Sequence, residues 1–253
     1  MDPVIVRNVK IGEGIPKICV PIVGRTRDEI INEAKALEDI PKDLVEWRAD
    51  WFEEILEPEK ASEILRELRM ILKEVPLLFT FRSAEEGGNQ TISADKYLEI
   101  NRAAIESENV DLVDVEIFSA EETVREIIVC AHKKNVKIIA SNHDFEKTPE
   151  KEELVLRLRN MQEAGADILK IAVMPQSEKD VLTLFTATEE MVSNYARQPV
   201  VTMAMSGLGA VSRLAGEVFG SAITFGSAEK ASAPGQIPAK ELKKILDLLH
   251  NAL

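Results

Sequence analysis

The 253-residue sequence predicts an α/β fold, a single (β/α)8 TIM barrel over residues 1–253. Short apolar runs of strand length recur at fairly even intervals, and charged amphipathic stretches of helical length lie between them. An open doubly wound sheet is the alternative, but no GxGxxG turn follows the first run. The eight runs comprise residues 18–23, 44–48, 77–82, 112–117, 137–141, 168–173, 200–205 and 222–225.

The sequence also predicts a hairpin before the barrel and the starts of several helices. Residues 3–16 have the pattern of an extra β-hairpin, and we expect this hairpin to close the bottom of the barrel. Several helical stretches open with recognisable start signals. The signals are the capping boxes Thr26/Glu29, Ser119/Glu122 and Ser177/Asp180, and the prolines Pro149 and Pro238.

Composition and charge limit the class of function. Hydrophobic residues make up 45% and charged residues 30%, as in ordinary soluble globular proteins. The net charge of -13 argues against a nucleic-acid or anionic-membrane partner, although a local group of arginines can still bind a small anion. Cys19 and Cys130 have no metal-site or disulfide spacing, which indicates reduced, packed thiols. With no signal peptide visible and no apolar run near the ~20 residues of a membrane span, the sequence predicts a cytoplasmic protein.

Alternate residues within the runs differ in polarity, and this difference predicts the site. Successive strand residues face opposite sides, so Val45 and Trp47 share one face while Glu46 and Arg48 share the other. The polar face should point into the barrel, with its charges near the C-terminal mouth where barrel enzymes hold their sites. An ion network alone is the alternative, but buried pairs rarely repay their desolvation. The same face of the later runs carries Arg82, Asp114, Glu116, His143 and Lys170.

Lys170 is the most informative of these residues. It lies inside the apolar run 167–173, and lysine is rarely buried unless it is paired or needed. Burial disfavours the ammonium form, so this lysine could attack a carbonyl and form an imine. A lysine that reaches solvent at a strand end, or pairs with a carboxylate, fits the run equally well.

The segments after the runs add further candidates. Glu86 lies on a flexible Gly-Gly turn, and His143 lies in the segment that closes the fifth strand, whereas the other two histidines lie in helical segments. Arg213 follows a glycine-containing loop and, at the mouth, would hold a carboxylate through two hydrogen bonds. Residues 231–236 indicate a mobile loop after the eighth run.

The sequence resembles one family, type I 3-dehydroquinate dehydratase of the shikimate pathway. The resemblance covers essentially the whole chain in one order, so it is more specific than any single motif. The matching segments are residues 44–48, 78–83 with 86–88, 141–145, 170–176, 212–220 and 230–236.

The resemblance implies a lyase that converts 3-dehydroquinate to 3-dehydroshikimate and water, in chorismate and aromatic amino-acid biosynthesis, without a metal or organic cofactor. Lys170 would form a Schiff base, His143 would act as general base and then acid, and Glu86 would orient His143. A homodimer is implied as well. The substrate-binding residues implied are Glu46, Trp47, Arg48, Arg82, Arg213, Ser232 and Gln236.

Two positions depart from the family pattern, and two other functions remain open. Pro21 stands where many relatives carry serine, and Gly207 is a local difference in the loop before Arg213. A Schiff-base aldolase would use the same barrel but usually needs a phosphate cradle. A catalytically silent barrel would serve binding alone, which the presence of both Lys170 and His143 disfavours. No role is assigned to Asp114 or Glu116.

Overall fold

The computed structural model describes residues 2–228 and 232–253. A parallel barrel forms from the eight predicted runs, with a two-stranded antiparallel hairpin before it and a two-residue strand after it. The strands are β1 (Val4–Val6), β2 (Val9–Ile11), β3 (Lys17–Ile22), β4 (Leu44–Arg48), β5 (Leu77–Thr80), β6 (Leu112–Glu116), β7 (Lys137–Asp144), β8 (Ile168–Val173), β9 (Val200–Ala204), β10 (Ile223–Ser227) and β11 (Ile237–Pro238).

Helices follow the barrel strands and surround them. They are α1 (Arg27–Ala36), α2 (Pro58–Leu72), α3 (Ala94–Glu106), α4 (Glu121–Lys133), α5 (Lys151–Glu163), α6 (Glu178–Asn194), α7 (Gly216–Phe219) and α8 (Ala239–His250). None of the helices within residues 2–228 and 232–253 combines the length and apolar character that crossing a bilayer requires.

Strand pairing closes the barrel. The order β10-β3-β4-β5-β6-β7-β8-β9 runs through parallel neighbours, and the register places Ser141 of β7 opposite Lys170 of β8. Between β9 and β10 the backbone N–H of Ala222 donates to the Val200 carbonyl at 2.7 Å, beside a parallel bridge from Val200 to Ser221. The prediction of a (β/α)8 barrel is confirmed.

The two faces of each strand enter different apolar layers, as the alternation predicts. Val45, Trp47 and Phe79 belong to the large layer between strands and helices. Residues that begin the strands, such as Leu44 and Leu112, fill the barrel interior at its N-terminal end.

The hairpin of β1 and β2 adds to this interior layer. Its buried side chains Val6 and Ile11 pack in the same apolar cluster as the residues that begin the barrel strands. Because those residues lie at the N-terminal ends, the hairpin closes the barrel bottom. That expectation is also confirmed.

The helix starts observed in the structure agree in part with the start signals predicted from the sequence. Ser177 and Asp180 form a full capping box at α6. Thr26 accepts from the N–H of Glu29 at 3.3 Å, but the Glu29 carboxylate accepts from the N–H of Arg25, so only half of that box forms.

Two other predicted starts were wrong, whereas the start predicted at Pro238 was confirmed. Ser119 donates its hydroxyl to the carbonyl of Glu116 at 2.8 Å, and α4 begins two residues later. Pro149 precedes α5 by two residues, so it is outside the first turn. Pro238 ends β11 directly before α8.

Candidate active site

A cavity opens at the C-terminal mouth of the barrel. It encloses about 660 Å³ of space, part of it open to solvent. Its predicted lining residues are Glu46, Arg48, Arg82, Glu86, His143, Lys170, Arg213, Ser232 and Gln236. The remaining lining residues are Gly87, Phe145, Ala172, Met203, Met205, Phe225, Ala233 and Pro234.

Lys170 is both buried and paired with a carboxylate. The sequence had offered these as separate alternatives, and the structure combines them. Its side chain is 4% exposed, and Nζ lies 2.9 Å from Oδ2 of Asp114. The same Nζ lies 4.7 Å from the ring centroid of Phe225, within cation–π range. A carboxylate and an aromatic face therefore hold the amine at the cavity wall.

Asp114 joins Lys170 to a wider network. Oδ1 of Asp114 accepts from Nη2 of Arg82 at 2.6 Å and from the hydroxyl of Ser141. Burial alone would raise the pKa of Asp114, but Arg82 and Lys170 outweigh burial and lower this pKa to about 2. Asp114 therefore remains a carboxylate throughout the physiological range.

His143 is held by Glu86. Nδ1 of the imidazole lies 2.8 Å from Oε2 of Glu86, and the backbone N–H of His143 donates to the same oxygen at 3.0 Å. With Glu86 ionised, Nδ1 carries the proton and donates it in this hydrogen bond. Within the described residues only Nδ1 of the ring has a protein hydrogen-bond partner, so Nε2 is left as a basic lone pair facing the cavity.

The electrostatic environment favours a neutral imidazole beside an easily titrated carboxyl. Burial lowers the pKa of His143 well below its usual value, and the cations Arg82, Lys170 and Arg48 lower it further. Burial also raises the pKa of Glu86 to about 7, with Glu116 adding to the rise while Arg82 opposes it. The carboxyl that orients His143 therefore has a pKa close to neutral pH.

The segment that carries Glu86 is more tightly built than the flexible turn expected from its glycines. Glu86 ends a 3-10 helix, and Gly87 follows in the left-handed region with φ of +81°. A Cβ at Gly87 would collide with the ring of Phe145, and one at Gly88 would collide with the carbonyl oxygen of Arg82. Glycine at both positions lets the turn press Glu86 against His143.

Arg48 and Arg82 already have anionic partners at the mouth. Arg48 donates Nε and Nη2 to the two carboxylate oxygens of Asp50 at 2.8 and 2.9 Å. Arg82 donates to Glu116 at 3.0 Å as well as to Asp114. These pairs fix both guanidinium groups in the cavity wall and leave them less charge to offer a ligand.

Arg213 differs from the other two arginines. Arg213 lies in a 3-10 helix after β9 and is 2% exposed, yet it forms no ion pair within the part of the chain that the structure describes. Nη2 donates to the carbonyl of Pro234 at 3.2 Å, and Nε is buried without a hydrogen-bond partner among the described residues. Burial lowers the pKa of Arg213 to about 10, so the group remains cationic at neutral pH. An anionic ligand would supply the partner that the described residues do not provide.

The segment 232–236 lies over the cavity. Its Ser232 N–H donates to Oε1 of Gln236 at 2.8 Å, and Nε2 of Gln236 donates to the Ser232 hydroxyl at 2.9 Å. Arg48 reaches the Ser232 carbonyl at 3.5 Å. Lys230 and Ala231, which belong to the motif quoted for this loop, lie outside the described residues.

Two predicted substrate-binding residues occupy different layers. Glu46 faces the cavity and accepts from the Thr80 hydroxyl at 2.8 Å. Trp47 does not reach the cavity, because the next residue of a strand points to the opposite side. Its indole is fully buried against Phe52 and Phe79 in the helix layer. The expectation that Trp47 binds substrate through its side chain is corrected accordingly.

Sequence reasoning missed several supporting residues. Asp50 holds Arg48, and the strand alternation had already placed it on the polar face. Phe225 lies under Lys170, and Asn142 donates to Oε1 of Glu86 at 3.1 Å. No local signal marks Phe225 or Asn142, because both act through neighbours distant in sequence. Among the described residues, no group of three or more His, Cys, Asp or Glu side chains is arranged to hold a metal ion.

The fold and the cavity define a barrel enzyme whose site suits a small anionic carbonyl compound. A lysine, an oriented histidine and a buried arginine line one cavity at the C-terminal mouth, and the arginine has no anionic partner among residues 2–228 and 232–253.

Comparison with known proteins identifies the family. Residues 18–252 match the family described as Type I 3-dehydroquinase. The 3-dehydroquinate dehydratase of Clostridioides difficile is 55% identical over 98% of this chain and 97% of its own length. That of Listeria monocytogenes is 56% identical over 99% of each. This chain therefore belongs to the type I 3-dehydroquinase family, hydro-lyases of the shikimate pathway in aromatic amino-acid biosynthesis.

Solved structures agree with this family. The crystal structure of the Clostridium difficile type I 3-dehydroquinate dehydratase, described with covalently modified comenic acid, covers 100% of both chains at a TM-score of 0.97 and 55% identity. The Geobacillus kaustophilus 3-dehydroquinate dehydratase gives a TM-score of 0.96 at 40% identity, over 99% of this chain and 97% of that one.

Proposed function

We propose that this protein dehydrates 3-dehydroquinate to 3-dehydroshikimate through a Schiff base on Lys170. The observation that carries this proposal is the meeting of three groups in one cavity. These groups are a buried lysine amine, a histidine whose Nε2 has no hydrogen-bond partner, and an arginine without an anionic partner, both absences holding for the described residues. The Clostridium difficile relative is described with covalently modified comenic acid, which supports covalent chemistry in this family.

The first step joins Lys170 to the substrate. Its ammonium and the C3 ketone give a protonated imine and water, and two of the three ammonium protons leave in that water. The positive charge is conserved, so the Asp114 carboxylate 2.9 Å from Nζ balances it before and after the step. The iminium draws electrons from C2 and makes its protons more acidic.

His143 then carries out two transfers of one proton. Nε2 takes a C2 proton, and the C2–H electrons flow to the imine nitrogen to give an enamine. The imidazolium returns that proton to the departing C1 hydroxyl, which leaves as water while the iminium forms again. Hydrolysis of the iminium releases 3-dehydroshikimate and restores Lys170. The neutral imidazole favoured by burial suits the first of these transfers.

Arg213 would hold the substrate carboxylate. Its buried Nε has no hydrogen-bond partner in the described chain, and a guanidinium matches a carboxylate through two parallel hydrogen bonds. Glu46, Arg48 and Arg82 would bind the hydroxyls and other oxygens, and Ser232 and Gln236 would cover the substrate from the last loop. Trp47 would support β4 from the helix layer.

The assembly is also part of this proposal. We propose that residues 1–253 act as one barrel domain in a cytoplasmic homodimer. The hairpin at one end of the chain and α8 at the other both pack on the same barrel, which supports a single unit. Light scattering after size-exclusion chromatography measures the oligomeric mass, and a monomer at assay concentration would contradict the dimer.

A direct assay tests the reaction. Incubation with 3-dehydroquinate should produce the ultraviolet absorbance of a conjugated enone, which the substrate lacks. Lys170→Ala should abolish this signal, whereas Lys137→Ala, at the opposite end of the neighbouring strand, should not. Absence of enone from the folded wild-type protein would contradict the proposed reaction. Release of a smaller carbonyl fragment would favour the aldolase alternative.

A further inference from the structure

An arginine of the outer helix layer reaches the candidate active site through one amide. Arg157 lies in α5, and its Nη1 donates to Oδ1 of Asn142 at 2.8 Å. Nδ2 of Asn142 donates in turn to Oε1 of Glu86 at 3.1 Å. The other oxygen of Glu86 holds Nδ1 of His143. A continuous series of hydrogen bonds therefore links the helix layer to the imidazole.

The direction of these bonds is fixed by the chemistry of Arg157. A guanidinium only donates, so the Asn142 amide must turn its oxygen toward Arg157 and its NH2 toward Glu86. An NH2 group requires an acceptor, which the ionised carboxylate supplies at either oxygen. The reversed amide would instead present an oxygen to Glu86, and only a protonated Glu86 could donate to it.

We infer that Arg157 is a positioning residue that locks the Asn142 amide in the orientation that favours ionised Glu86, and so keeps Glu86 as the acceptor for Nδ1 of His143. This inference rests on the proposed role of Glu86 in orienting His143. It assigns a function to a side chain that touches neither the cavity nor the substrate.

The surroundings of both residues favour such a lock. Asn142 is buried, so its amide cannot replace lost partners with bulk water. Arg157 is itself fixed, since Nε donates to Oε1 of Glu153 at 2.8 Å and the guanidinium lies 5.9 Å from the ring centroid of Phe118. An immobilised donor loses less entropy when it holds its acceptor.

Glu86 is sensitive to a small change in its partners. The charged and titratable groups around it are Arg82, Glu116, Asp114 and His143, of which Arg82 favours the carboxylate and the two acids disfavour it. Burial raises the pKa of Glu86 to about 7, so its two protonation states have similar populations at neutral pH. Loss of one oriented donor would then change the fraction of enzyme that is active.

The test compares the pH dependence of kcat/KM in four proteins. Arg157→Leu removes the donors, and the acid limb should move upward by about half a unit to one unit. Arg159→Leu is the matched control. Arg159 lies in the same helix and stacks on Tyr195 at 4.8 Å, so its loss removes the same charge while the profile should stay unchanged. Arg157→Lys, which can still donate, should restore most of the wild-type profile.

A double-mutant comparison separates positioning from a simple charge effect. In an Asn142→Leu background, Arg157→Leu should cause no further shift, because the amide that it orients is gone. A shift of equal size in both backgrounds would overturn the inference, since it would show a direct Coulombic effect on Glu86. An Arg157→Leu profile equal to that of Arg159→Leu would overturn it as well.

A second readout distinguishes this inference from the proposed function. The 15N chemical shifts of the His143 ring report directly whether Nδ1 carries the proton, and Arg157→Leu should lower that population at pH 7. Failure of the Schiff-base mechanism would appear in the wild-type protein, as turnover without a borohydride-trapped adduct on Lys170. Failure of the inference leaves that adduct intact and the ring shifts unchanged by Arg157→Leu.

Discussion

One carboxylate oxygen of Glu86 accepts two hydrogen bonds from His143, from the backbone N–H at 3.0 Å and from Nδ1 at 2.8 Å. The first bond fixes the position of the residue and the second fixes the tautomer of its ring. Nε2 is thereby presented to the cavity as a base. This relationship makes the protonation of Glu86 the quantity on which activity should depend.

The pH dependence of kcat/KM should therefore report Glu86. Its pKa is raised to about 7, and the form that accepts from Nδ1 is the ionised one, so kcat/KM should rise with pH through about 7. Glu86→Gln keeps an acceptor oxygen but cannot titrate, and its rate should be lower and flat over this range. An acid limb that is identical in wild type and Glu86→Gln would assign the titration to another group.

The same carboxyl should lower stability at alkaline pH. Folding raises the pKa of Glu86 from 4.5 to about 7, so the native protein binds this proton more tightly than the unfolded chain does. The stability from this proton is fully present below pH 4.5 and is lost as pH rises through about 7. Glu86→Gln should therefore have a higher free energy of unfolding than wild type at pH 8, by on the order of 2–3 kcal/mol.

Urea unfolding at pH 8 and pH 5 measures that difference. The gap between Glu86→Gln and wild type should be smaller at pH 5, because Glu86 is then protonated in the native protein. A Gln variant that is less stable than wild type at pH 8 would show that the hydrogen bonds of the carboxylate outweigh the cost of burying it.

Strand alternation predicted most of the site. It placed Glu46, Arg48, Arg82, His143 and Lys170 on the inward face, and the structure brings these five side chains to one cavity. The alternation predicts these positions because successive side chains of a strand point to opposite faces. The sequence pattern of each strand therefore shows which of its side chains point into the barrel. Closure of the barrel then brings strands far apart in sequence to the same mouth.

The hydrogen-bond partners within the site could not be predicted in this way. Asp114 was recognised as an inward acid, but its contact with Lys170 depends on how β6 and β8 lie across the barrel. Asn142 lies on the outward side by alternation, yet it reaches Glu86 because the turn after β5 folds over the end of β7. The side-chain geometry of the mouth fixes such contacts.

Arg213 should dominate carboxylate binding. Arg213→Ala should raise KM by roughly 10- to 150-fold, which corresponds to a lost hydrogen bond to a charged group of about 1.5–3 kcal/mol. The exposed Arg197, which pairs with Glu163 at 3.0 Å, provides a control, and its alanine variant should retain wild-type kinetics. Unchanged kinetics in Arg213→Ala would move the anchor to Arg48 or Arg82.

Trp47 should behave as a core residue. Trp47→Phe should lower the free energy of unfolding while KM stays close to wild type, because the indole packs on Phe52 and Phe79 outside the cavity. Trp47→Ala should cost about 3–5 kcal/mol. Denaturant unfolding and steady-state kinetics on the same samples check both values. A raised KM with unchanged stability would return Trp47 to the binding site.

The central claim is that Lys170 makes the covalent link while His143 moves the protons. Intact-protein mass measurement after 3-dehydroquinate and borohydride tests it most directly, with peptide mapping and a product assay alongside. Wild type should gain one ligand mass at Lys170, and Lys170→Ala should gain none. His143→Ala should accumulate the adduct while turnover falls by ~10²–10⁴-fold or more. Labelling at another lysine, or near wild-type turnover by His143→Ala, would contradict the account.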